Sequence, residues 1–112
     1  MTIFEKIAAR EIPARIVYEE DDFLAFHDVD PKAPVHVLIV PKKVIPRIAE
    51  ATAENAPVLG RMLAASGKIA ALVGVAESGY RLVINNGPDA GESVPHLHIH
   101  LLGGRSMAWP PG

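Results

Sequence analysis

Residues 95–104 read PHLHIHLLGG, three histidines at alternate positions with leucine and isoleucine between them. A strand sends successive side chains to opposite faces, so His96, His98 and His100 would share one face and Leu97, Ile99 and Leu101 the other. The apolar side is expected to pack on the core. The histidine side needs a reason, because Thr, Lys or Glu would serve a merely solvated face. A metal site, a nucleophile for phosphorus and a bland wet face are the three readings.

The rest of the chain narrows them. With 112 residues, the sequence reads as one domain (1–112), large enough for a real core and small enough to favour oligomers. Hydrophobic residues make up 49% of it, which argues for a folded protein over a disordered one. Cysteine is absent, so disulfides and thiolate metal sites are excluded. A net charge of −2 with scattered Lys and Arg argues against a nucleic acid polymer as partner. No apolar run reaches the roughly 20 residues that span a bilayer, and the opening MTIFEKIAAREIP is too charged for a secretory signal. The default expectation is a cytoplasmic protein with no membrane partner.

Periodicity supplies an α+β fold. TIFEKIAAR predicts a short N-terminal helix with the Thr2/Glu5 capping-box spacing, an apolar stripe of Ile3, Phe4 and Ile7, and an end at Pro13. ARIVYEE and DFLAFHD predict two strands around a turn at Glu20, Asp21 and Asp22, and VHVLIVP a third, well-buried strand. From Pro57 to Val73, Val58, Leu59, Met62, Ile69, Leu72 and Val73 recur at helical spacing, with Gly74 as the stop. YRLVIN is the fourth strand, NGPDAGES a loop and PHLHIHLL the fifth strand. The expected architecture is a five-stranded antiparallel sheet with a short N-terminal helix and one long helix.

Against a metal stands distance: residues four apart on a strand lie roughly 13 Å apart along it, whereas a metal–nitrogen bond is about 2 Å. Two of the triad plus His36 from another strand remain as a metal alternative. Phosphorus chemistry fits the neighbourhood better. The preceding loop, NNGPDAGES, offers glycine backbone N–H groups and Asn and Ser donors to an anion. A neutral imidazole is also a competent nucleophile near neutral pH.

HLHIHLL fits the His-x-His-x-His-x-x pattern of the histidine triad superfamily. TIFEKI, REIPARIVYEEDD, LAFHDVDPKAPVHVLIVPKK, NNGPDAGESVPHLHIHLLGGR and the terminal WPPG resemble the Hint branch of that superfamily, in the same order. Only VIPRIAEATAENAP and the long helix are generic. The resemblance implies a HIT-like fold that dimerises, and a homodimeric, metal-independent and cofactor-free purine nucleoside phosphoramidase. Such enzymes cleave the P–N bond between a nucleoside monophosphate and an amine through a covalent nucleotidyl-histidine.

Carried onto this chain, the resemblance implies His98 as nucleophile, His100 as phosphate contact, and His96 and His36 as orienting and proton-relaying groups. It places Ser93 near the departing amine, and Asn85 with the backbone from Gly91 to Val94 on the phosphate oxygens. Asp28 matches a ribose-binding carboxylate. Ile3, Phe4, Ile7, Phe26 and Val29 would sandwich the base, with the His27 main chain lining the pocket. Taken singly, the aliphatic residues read as core and Asp28 as a turn residue. Trp109 in the tail would reach the neighbouring subunit's site, or else anchor the tail on its own chain. Pro95 departs from many relatives, which carry a residue with an N–H there, so no phosphate contact is assigned to its backbone. The alternatives are a dinucleotide polyphosphate hydrolase of the same superfamily, a nucleotide-binding regulatory module with little turnover, and a zinc-binding protein.

Overall fold

The computed structural model describes all of residues 1–112. The first element, α1 (Ile3–Ala8), begins as the sequence predicts: the Glu5 N–H donates to Thr2 Oγ1 at 3.1 Å and the Thr2 N–H to Glu5 Oε1 at 2.9 Å. It ends earlier than Pro13. Arg10 takes a φ of +63°, and the Glu11 N–H turns back to the Lys6 carbonyl, closing the helix before the proline is reached.

Five strands follow: β1 (Ile16–Glu19), β2 (Phe23–His27), β3 (Val35–Pro41), β4 (Tyr80–Val83) and β5 (Ile99–Gly103). All pair antiparallel in the order β1-β2-β3-β5-β4. The last strand is thus inserted between β3 and β4, hydrogen-bonded on both edges, while β4 forms one rim of the sheet.

Between β3 and β4 the chain crosses over through two single 3-10 turns and a helical stretch. The one helix expected from Pro57 to Val73 is bent at Ala65 into α2 (Ala56–Ala64) and α3 (Ser66–Leu72). Ala65 stays right-handed (φ −74°, ψ −12°), and hydrogen bonds from Ala65 to Arg61 and from Ile69 to Ala65 cross the joint. A Ser66–Gly67 pair stands directly after it, a common cause of such bends. The helical stretch stops at Gly74, whose φ of +81° suits a residue without Cβ. Leu72, expected on the apolar stripe, is 60% exposed at the end of α3, whose buried side is formed by Ser66, Ile69 and Ala70.

Strand alternation divides the interior. Phe23, Ala25, Val37, Ile39, Ile99 and Leu101 face α2 and α3 and pack with Met62, Ile69 and Ala70. Leu24, Phe26, Leu38 and Val40 face the other way and pack with Phe4 and Ile7 of α1. His36 and His100, one or two positions from these, share that second face. No helix is long and apolar enough to cross a membrane.

Candidate active site

The ladder of β5 begins at Ile99, four residues after the expected start. Backbone groups upstream are committed elsewhere: the His96 N–H turns onto the Val94 carbonyl at 2.8 Å, and the Leu97 N–H bonds Ile45 O at 2.6 Å. The alternation nevertheless holds. Leu97, Ile99 and Leu101 enter the helix-side core, and the histidines lie on the α1 side. They are not on a wet face: His36, His96 and His98 are buried and His100 is half-buried.

Each ring has at least one nitrogen whose neighbour assigns the proton. A carbonyl can only accept, so His98 carries its proton on Nδ1, 2.8 Å from the His96 carbonyl, and keeps a lone pair on Nε2. That Nε2 is hydrogen-bonded to nothing in the chain and is not enclosed. By the same logic His96 is protonated on Nε2, which donates to Pro41 O at 2.7 Å.

A second chain of bonds runs the opposite way. The Lys32 backbone N–H donates to His36 Nδ1 at 3.0 Å, so the neutral ring carries its proton on Nε2. His36 Nε2 then donates to His100 Nδ1 at 2.9 Å, and His100 is left with its N–H on Nε2. This last donor is buried and has no partner within the chain. Such a group costs roughly 1–3 kcal/mol unless something accepts from it. The rings of His98 and His100 lie edge to face with centroids 4.9 Å apart. One ring offers a lone pair and its neighbour a hydrogen-bond donor.

Burial disfavours the charged form of His36, His96 and His100. Burial pushes His100 down to about 4, aided by the proximity of His98 and His36. Burial likewise holds His96 and His36 below the ordinary imidazole value, against the opposing pull of the Pro41 carbonyl on His96 and of Asp28 on His36.

Asp28, His36 and His100 bring one ligand atom each within 4.8 Å of one another, the one group that resembles a metal centre. The proton positions argue against that use. His36 Nδ1 is occupied by the Lys32 N–H, so its Nε2 bears a proton and has no lone pair to give. Asp28 Oδ2 lies 3.5 Å from that same Nε2, while Oδ1 accepts the Asp30 N–H at 2.8 Å. The carboxylate therefore fills the turn role and faces the histidine relay together.

Phe4, Ile7 and Phe26 lie in the apolar cluster beside the rings, with the Phe4 centroid 5.1 Å from His98 and 5.8 Å from Phe26. Val94 packs against the same cluster. Ile3 is exposed on α1, Val29 is 96% exposed, and neither joins it. His27 ends β2, half-buried, with burial and Arg15 lowering its pKa. Asn85 is half-buried and Ser93 exposed, both without side-chain bonds inside the chain. Gly91 adopts a left-handed φ of +78° that lets the loop fold back on itself.

Sequence reasoning missed the brace of that loop. Glu92 accepts from the Gly87 N–H at 3.0 Å and from Arg47 Nε at 3.0 Å, and Arg47 also pairs with Glu50. Asn86 Oδ1 accepts the Ala49 N–H at 2.9 Å. Arg47 was hidden in the stretch without a motif. In the tail, Arg81 donates to the Ala108 carbonyl at 3.0 Å and lies 6.0 Å from the Trp109 ring, which is 82% exposed. The tail is thus fastened to its own chain while the indole remains open to solvent. A cavity of about 500 Å³ bordered by Asp22, Lys43, Glu54 and Arg61 includes none of the histidines.

The chain and its fold have known counterparts. The HIT domain family model matches residues 9–107, and the chain belongs to that family. An uncharacterized HIT-like protein of Synechococcus elongatus is 61% identical over 111 residues, 99% of this chain and 96% of its own length. Among solved structures, a HIT family hydrolase from Legionella pneumophila superposes with a TM-score of 0.95 at 46% identity, covering 100% of both chains. A HIT family hydrolase from Clostridium thermocellum gives 0.92 at 47% identity, covering 96% of this chain and 93% of its own.

Proposed function

We propose that the protein is a hydrolase of the Hint type that cleaves the P–N bond of purine nucleoside phosphoramidates, such as those joining AMP to an amine or lysine. One observation carries this reading: His98 is held through Nδ1 by the His96 carbonyl, with its Nε2 lone pair free beside the unpartnered Nε2–H of His100. The hydrolase names of the solved relatives support the reaction class.

In the first step the His98 Nε2 lone pair forms a bond to phosphorus and the P–N bond breaks, its electron pair leaving on the amine. That nitrogen takes up a proton, relayed from solvent by the Ser93 hydroxyl. His98 becomes a cationic nucleotidyl-imidazolium whose Nδ1–H is already matched to a carbonyl. The His100 N–H meets charge on a non-bridging oxygen, with Asn85 and the Gly91–Val94 backbone on the others. In the second step water attacks phosphorus, the P–Nε2 pair returns to His98, and water's proton replaces the one taken by the amine. No metal or cofactor enters either step. Asp28 would receive the ribose hydroxyls, and the Phe4, Ile7 and Phe26 cluster with Ile3, Val29 and the His27 backbone would border the base.

The exposed Leu63 and Leu72 and the open rim at β4 support a homodimer, in which Trp109 would meet the partner subunit. The test of function is turnover of adenosine 5′-phosphoramidate by chelator-dialysed protein, with His98→Ala in parallel. Turnover by the wild type alone is the expected result. Equal rates in both proteins would refute the nucleophile, and no turnover in either would refute the activity.

A further inference from the structure

The helix α1 is tied to the histidines by a bond that its capping role does not require. Thr2 Oγ1 lies 2.7 Å from His96 Nδ1, a contact spanning 94 positions of sequence. A threonine hydroxyl has one proton to give and two lone pairs. One lone pair receives the Glu5 N–H at 3.1 Å, the cap of the helix. The proton's destination follows from the other end of the imidazole. His96 Nε2 faces the Pro41 carbonyl at 2.7 Å and must hold the ring's hydrogen, so Nδ1 is an acceptor and the hydroxyl donates to it.

We propose that Thr2 is a positioning residue of the active site, whose hydroxyl fixes the orientation of the His96 ring, in the tautomer that the Pro41 carbonyl sets, and thereby the carbonyl that holds His98. The coupling is short. His96 is clamped at both ring nitrogens, its N–H is turned onto Val94, and its own carbonyl accepts the His98 Nδ1–H at 2.8 Å. Phe4, two residues along α1 from Thr2, packs edge-on against both rings at 5.4 and 5.1 Å. One hydroxyl therefore joins the start of the helix to the lone pair that would attack phosphorus. Charged or titratable groups near the His96 ring are few: Glu5 on α1, which favours its cation, and His98 on its own segment, which opposes it. The third neighbour, β3, presents only the Pro41 carbonyl.

The inference rests on the reading of His98 as nucleophile, and the test separates the two. Thr2→Asp and Thr2→Asn are near-isosteric and both cap helices well, but only the amide can donate to His96 Nδ1. Both should keep the helix, read by circular dichroism and the denaturant midpoint. Thr2→Asp should lower kcat about ten- to a hundredfold relative to Thr2→Asn with KM little changed, in line with losses seen when a supporting hydrogen bond to a functional histidine is removed. Its ring should also change state: ¹⁵N spectra should show His96 protonated on Nδ1 at a higher pH than in Thr2→Asn. Thr2→Ser, which keeps both bonds, should recover the wild-type pH profile. Identical His96 spectra and pH profiles for the Asp and Asn variants would overturn the proposal. If the wild type lacked phosphoramidase turnover, the functional reading would fall, while the His96 spectra would still decide the role of Thr2.

Discussion

The two faces of the sheet are made from the same strands and differ in what lies over them. On one, Phe23, Ile39, Ile99 and Leu101 meet α2 and α3 in a cluster of 13 buried residues. On the other, a cluster of 6 sits under the two turns of α1, and the adjoining area is filled by four imidazoles. The first face is sealed mainly by apolar contact, with one side-chain hydrogen bond between Ser66 and Tyr80. The second is held by directed bonds between ring nitrogens and backbone groups, each with one permitted proton position. Neighbouring residues at the start of β5 therefore have different surroundings: Ile99 lies in the apolar core, and His98 and His100 carry the ring nitrogens of the proposed chemistry.

Substitutions should separate these roles. Removing the His98 ring is the largest effect on the histidine face, and His98→Ala should leave the denaturant midpoint far less changed than the rate. On the helix face, Ile99→Ala should lose about 2–5 kcal/mol of stability, measured by denaturant unfolding. Leu38→Ala, in the smaller cluster and directly opposite His100 in register, should fall at the low end of that range but reduce turnover more per unit of lost stability. Equal ratios for the two would erase the distinction between the faces.

The histidine face should also carry a pH dependence that the other lacks. In the unfolded chain imidazoles take protons near pH 6.5, whereas His36, His96 and His100 resist them when folded, His100 down to about 4. The unfolded chain thus binds more protons below pH 6.5, so stability is full above that value and declines as the pH falls toward 4. Unfolding midpoints at pH 7 and pH 5 should show this decline, and His100→Leu should flatten it. An unchanged slope in that variant would contradict the burial argument. The smallest effect belongs to the loop brace: Glu92→Gln should raise KM about two- to fivefold with little change in kcat, as befits a partly buried ion pair that shapes a backbone.

Features governed by neighbours in sequence were legible beforehand. The Thr2/Glu5 box, the alternation of β5 and the Gly74 stop each depend on residues within four positions, and each is present as read. The bend at Ala65 was not foreseen, although Ser66 and Gly67 could have signalled it. The exposure of Leu72 and Val29 depends on how elements lie against one another, which local periodicity does not carry. The same holds for the site. Alternate spacing grouped the three histidines, but the proton of His96 is placed by the Pro41 carbonyl, 55 positions away, and that of His36 by the Lys32 N–H, near in sequence but aimed at the ring only by the loop's fold.

The most direct test of the account is the tautomer of each ring in the wild-type protein at pH 7, read from two-bond ¹H–¹⁵N correlations. The account predicts His98 protonated on Nδ1, and His36, His96 and His100 on Nε2. A proton on His98 Nε2, or a lone pair on His36 Nε2, would contradict it.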